Sequence, residues 1–162
     1  MEIPDRKSSR IREYDYSASG AYFITVCTEN RAKILSKITG IPGEMPDSGV
    51  ELLQYGMIAE KYIRQMDDFY DHLSVDKYVI MPDHIHLLIT LHDVPGSEKD
   101  RLSAIARFVG SFKRFCNKEY GRNIWQGRFY DHVIRNQDDY NEVWKYIDNN
   151  PTKWVMKKRG VE

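Results

Sequence analysis

Two runs that read as β-strands, residues 75–80 and 84–91, are separated by only Met81, Pro82 and Asp83. Proline has no N–H to give to a central ladder, and Pro-Asp suits a tight turn. The chain must therefore double back here, which commits it to a hairpin and so to an antiparallel sheet.

The remaining segments supply elements to pack on that hairpin. Gly-Ala-Tyr-Phe-Ile-Thr-Val-Cys-Thr, residues 20–28, is rich in aromatic and β-branched residues and bounded by turn formers, which predicts another strand. Residues 50–69 place Leu52, Ala59, Tyr62, Ile63 and Met66 near helical spacing, and residues 101–119 do the same with Ile105, Val109, Phe112 and Cys116. Residues 129–134 read as a short strand. Asn136 then caps a third helix, with Asp138 and Asp139 in its first turn, and Pro151 is expected to stop it. Gly, Pro, Asp and Ser cluster at residues 40–49, which predicts a surface loop. Strand, helix, hairpin, helix, strand, helix is an α+β arrangement, most simply an antiparallel sheet with helices packed on it.

With 162 residues the chain can bury one core, and residues 1–162 are expected to form a single domain. Cys27 and Cys116 lie far apart inside apolar segments without metal-type spacing, which predicts buried free thiols in a reducing compartment. Residues 1–14 are polar and mixed in charge, and no apolar run approaches the roughly 20 residues of a membrane span, so a soluble cytoplasmic protein is expected. Net charge is zero, yet residues 101–135 hold eight Lys and Arg against two acids. Within that segment Arg107, Ser111, Arg114 and Lys118 follow one course along the predicted helix, a basic stripe able to meet several phosphates.

Chemistry concentrates in the hairpin and the third helix. Alternate strand residues point to opposite faces, so His84 and His86 project to one side and Ile85, Leu87 and Ile89 to the other. Two neutral imidazoles so placed can share a cation and leave its other positions open for a substrate; partly buried structural histidines are the alternative. In the third helix Tyr140, Val143, Trp144 and Ile147 form one core-facing stripe. Tyr146 points roughly 110° away from its centre, with Asn150 on the next turn of the same side.

Four motifs in order carry a resemblance: Tyr78-Val79-Ile80-Met81-Pro82-Asp83-His84-Ile85-His86-Leu87-Leu88, Ser111-Phe112-Lys113, Asn123 through Asn136 with Trp125-Gln126-Gly127-Arg128 at its centre, and Tyr146-Ile147-Asp148-Asn149-Asn150-Pro151. From about Tyr14 to about Trp154 the chain closely resembles the REP-associated tyrosine transposases, members of the HUH superfamily of single-strand endonucleases. The resemblance implies a ferredoxin-like or RRM-like core, Mg²⁺ or Mn²⁺ held by His84 and His86 with Asn150 as third ligand, and Tyr146 as nucleophile. It implies a partner in single-stranded or hairpin DNA, cut and rejoined through a 5′-phosphotyrosine link, with no membrane involved. Relatives often carry a longer tail than this chain, and residues 40–49 are an insertion.

On this reading Arg107, Arg114, Lys118 and Arg128 meet phosphates while Trp125, Phe129 and Tyr130 offer rings for stacking. His132 is expected to be structural rather than a proton carrier. A non-catalytic single-strand binding module is the rival from another class, and a domesticated member serving repair or regulation is a second. The sequence leaves monomer or homodimer open.

Overall fold

In a computed structural model, which describes residues 11–39 and 49–158, four strands form an antiparallel sheet in the order β4-β5-β1-β6. They are β1 (Gly20–Cys27), β4 (Leu73–Ile80), β5 (His84–Leu91) and β6 (Tyr130–Ile134). The expected hairpin is β4–β5, and its turn is closed by the Met81 N–H donating to the His84 carbonyl at 2.8 Å. Three helices, α1 (Gln54–Phe69), α2 (Glu98–Tyr120) and α3 (Gln137–Lys158), pack on this sheet. None of the described helices is long and apolar enough to cross a membrane.

Strand alternation divides the core in two. Tyr22, Ile24 and Val26 of β1 and Ile85, Leu87 and Ile89 of β5 face α1 and α2, where they meet Ile63, Ile105, Phe108 and Phe112. Ala21 and Leu88, joined by Val79 of β4, face α3 and meet Tyr140, Val143, Trp144 and Ile147. Each such fully buried apolar side chain contributes roughly 1.5–3 kcal/mol. The two histidines of β5 therefore open onto the α3 face, away from α1 and α2. Both cysteines are buried and free.

Polar contacts fix α3 on its face. A bulge between Val75 and Lys77 turns both Asp76 and Lys77 toward α3. Asp76 accepts from the Tyr140 hydroxyl at 2.8 Å, and the buried Lys77 ammonium meets Asp148 at 3.1 Å while lying 4.7 Å from the Trp144 ring centroid. These clamps lie eight residues apart, about 12 Å along the helix, and Tyr146 sits between them.

Four sequence expectations are corrected. Val50–Leu52 begins not a helix but a short strand, β3, paired with β2 (Ser36–Ile38) in a separate two-stranded sheet, because Leu53 is extended and the helix starts only after it. Helix α2 begins earlier than residue 101, where Ser97 and Asp100 form a reciprocal capping box. Helix α3 does not stop at Pro151 but continues to Lys158. A proline inside a helix costs about 3 kcal/mol; past it the helix carries the partly buried Trp154 against the α3-side core. Residues 40–48 of the expected loop lie outside the described residues.

The fourth correction is Trp125. Its ring is 1% exposed, packed against Phe112 and Tyr120 on the α2 side of the core, and so cannot stack on a base. Its apolar neighbours outweigh the pull of its position beside Arg128. Trp125→Ala should lower unfolding free energy by about 3–5 kcal/mol in a denaturant titration, the cost of emptying a buried tryptophan site; a change below 1 kcal/mol, about the scale of a surface substitution, would contradict the core placement.

Candidate active site

Strand β5 sets His84 and His86 side by side, ring centroids 4.6 Å apart. Each ring is oriented through Nδ1. His86 Nδ1 lies 2.9 Å from the Thr25 hydroxyl, its direct partner across the β1–β5 ladder, and His84 Nδ1 lies 2.7 Å from the Asp83 carboxylate. With Nδ1 of each ring engaged, both imidazoles are held in fixed orientations on the site face.

His86 is 5% exposed, and its Nε2 has no hydrogen-bond partner among the described residues. Burial, with the charges of His84 and Arg31 added, pushes its pKa down to about 3, so the ring stays neutral and competent to ligate near neutral pH. A buried nitrogen without a partner costs about 1–3 kcal/mol, which a bound cation would recover. Asp83 is drawn up by burial, but hydrogen bonds from Arg31 and His84 outweigh this and hold its carboxyl below the ordinary value. It therefore stays charged behind His84.

Tyr146 stands beside this pair. Its ring is 5.3 Å from His86 and 5.8 Å from Phe23, at steep angles to both, while 42% of the residue remains exposed. The core stripe of α3 is buried as expected, so the helix turns Tyr146 off that stripe and onto the edge of the histidine face. Asn150 is buried one turn on, and its amide nitrogen donates to the Tyr146 carbonyl at 3.3 Å, leaving the amide oxygen as the atom a hard cation accepts. Among the described residues no three His, Cys, Asp or Glu side chains form a metal-holding group. The structure brings His84 and His86 together, and Asn150 follows Tyr146 by one turn on the same side of α3.

The expected nucleic-acid residues do not all share that face. Arg107, Arg114 and Lys118 are exposed on α2, on the side of the sheet opposite the histidines. Arg128 is exposed in the loop before β6. Lys113, counted in the same basic segment, is half-buried and donates to the Gln126 and Arg128 carbonyls, so it braces that loop. Phe129 packs partly against the core, while Tyr130 is exposed on the site face in register with Thr25. His132 Nε2 reaches both Asp139 oxygens at 2.9 Å and ties β6 to the first turn of α3.

Sequence reasoning missed the cations around Tyr146, Trp154 and His84. Lys153 lies 5.1 Å over the Tyr146 ring, and Lys33 lies 5.7 Å over Trp154, whose ring is 6.5 Å from His84. Lys153 is seven residues after Tyr146 and so on its helical face; stopping the helix at Pro151 hid it. Arg31 carries a second signal. Asn30 (φ 57°) and Arg31 (φ 53°) are consecutive non-glycine residues in the left-handed region, at about 1–2 kcal/mol each. That turn aims the Arg31 guanidinium at Asp83, with Nε 3.1 Å from Oδ2 and Nη2 3.3 Å from Oδ1.

No protein-family model matches the chain. An uncharacterized protein of Haemophilus influenzae is 27% identical over 99% of this chain and 96% of its own length. A REP-associated tyrosine transposase of Escherichia coli is 30% identical over 91% of this chain and 76% of its own. Among solved structures, a REP-associated tyrosine transposase bound to a REP hairpin superposes with a TM-score of 0.61 at 24% identity, covering 91% of this chain and 74% of that one.

Proposed function

This chain belongs to the REP-associated tyrosine transposases, and on that premise we propose that it is a divalent-metal-dependent enzyme that nicks and rejoins single-stranded DNA at hairpin-forming repeats. The observation that carries the reading is Tyr146, half-exposed beside a buried, neutral His86 whose Nε2 has no partner among the described residues.

His84 and His86 would hold Mg²⁺ or Mn²⁺ with Asn150 as the third protein ligand, and the cation would supply charge neutralisation on the phosphate oxygens. Asp83 and Thr25 orient the two imidazoles through their Nδ1 atoms. The Tyr146 oxygen forms a bond to phosphorus, the bond from phosphorus to the 3′ oxygen breaks, and the phenol proton is lost as the 3′-OH is completed. The 5′ side of the cut stays on Tyr146, and a 3′-OH can attack it later to reseal the strand without an external energy source. Phe23, packed against both Tyr146 and His86, holds the nucleophile beside the histidines.

A dye-labelled hairpin oligonucleotide with an unpaired flank tests this. Cleavage should appear with Mg²⁺ or Mn²⁺ and vanish in excess chelator, and the flanked hairpin should bind more tightly than blunt duplex at matched salt. Replacing Arg107, Arg114 and Lys118 together with Ala should lower the slope of log affinity against log salt by about two, with the cleavage rate of bound DNA unchanged because α2 lies across the sheet from Tyr146. Metal-independent cutting would contradict the assignment, and binding without cutting under any metal would favour the binding-module reading.

A further inference from the structure

We propose that Arg31 is a phosphate-contacting residue of the active site, held in place by Asp83 and gripping the DNA phosphate that the histidine pair and Tyr146 act upon; this rests on the DNA-nicking reading above. Three observations converge on it. The turn Glu29–Arg31 leaves β1 with two successive left-handed non-glycine residues, and it is fixed by the Thr28 hydroxyl donating to the Ala32 carbonyl at 2.8 Å and by the Arg31 N–H donating to the Thr28 carbonyl at 3.1 Å. Backbone held in so uncommon a conformation next to a candidate site points to placement of the side chain it carries.

The guanidinium so placed is a fork with one edge taken. Nε and Nη2 engage Asp83, and Nη2 also lies 3.4 Å from His84 Nδ1, while 52% of the side chain remains exposed. Five N–H donors in a planar fork exceed what one carboxylate can accept, so part of the fork stays available to solvent within reach of His84. Its charge reaches the site as well: Arg31 is among the causes that keep His86 neutral, and it lies within electrostatic range of Tyr130 on the same face. Arginine presented bidentate on a carboxylate at one edge and free at the other matches the planar recognition of a phosphate.

The alternative is that Arg31 only braces the turn and the Asp83–His84 pair. Salt-dependent binding separates the two, measured with the dye-labelled flanked hairpin and Mn²⁺ in a Tyr146→Phe background so that no cutting intervenes. Arg31→Gln should weaken binding roughly tenfold and lower the salt slope by about 0.7, one phosphate on a single strand. Arg31→Lys keeps the cation and the turn, and should keep the slope while losing part of the affinity. Asp83→Asn should leave the slope near that of the parent but weaken Mn²⁺ binding by about 10–100-fold, read by calorimetry without DNA. An Arg31→Gln protein with an unchanged salt slope and reduced Mn²⁺ affinity would overturn the proposal and leave the DNA-nicking reading standing. Failure of the Tyr146→Phe parent itself to bind any flanked hairpin would overturn both.

Discussion

Changing His84 and His86 together to Ala should abolish cleavage of hairpin DNA, lowering the rate by at least about 1,000-fold, roughly 4 kcal/mol of barrier. The same change should remove detectable Mn²⁺ binding, because at most the Asn150 amide remains as a protein ligand. The fold should persist, since the two apolar clusters that hold the helices on the sheet are left intact. Removing His86 also deletes a buried nitrogen that has no partner among the described residues, so the loss of packing is set against the relief of an unsatisfied group. Calorimetry with Mn²⁺ and a thermal melt on the same sample separate these effects. Unaltered Mn²⁺ affinity in a folded double variant would end the metal assignment, and loss of the folded state would return the histidines to a structural role.

How much of this was legible in the sequence depends on which interaction dominated locally. The hairpin was readable because Pro82 and Asp83 leave few alternatives between two strand-forming runs, and from it followed the antiparallel sheet and the shared face of His84 and His86. The α3 stripe was readable because four apolar residues at helical spacing outweigh everything else in that segment, and the same wheel put Tyr146 off the core. The family resemblance then named roles that spacing alone had left open.

What failed, failed where a tertiary contact overrode a local rule. Pro151 breaks helices in isolation, but the helix runs through it and carries the partly buried Trp154 to the α3-side core and to the edge of His84. Trp125 sits in a segment rich in basic and aromatic residues, yet its ring turns to Phe112 and Tyr120 rather than to solvent. The bulge at Asp76 gives no sequence signal that a propensity scale reads, and it places Asp76 and Lys77 as the two clamps on α3. Arg31 was invisible for a related reason. Its importance lies in a left-handed turn and in a carboxylate 52 residues away.

The second large effect concerns Tyr146. Tyr146→Phe removes only the oxygen proposed as the nucleophile and keeps the ring that packs against Phe23, His86 and Lys153, so the fold, Mn²⁺ binding and hairpin binding should all survive. Chemistry should not. Competing phenols are disfavoured by position: Tyr140 is buried and donates to Asp76, and Tyr130 stands at the β6 edge beyond Thr25. The decisive measurement is therefore mass-spectrometric mapping of the DNA-linked peptide, after the unaltered protein has been incubated with labelled flanked hairpin and Mg²⁺ or Mn²⁺ and the product boiled in detergent. The account predicts one adduct, on Tyr146, joined to the 5′ side of the cut with a free 3′-OH released, and none from Tyr146→Phe. An adduct on another tyrosine, or one that still forms in Tyr146→Phe, would contradict it.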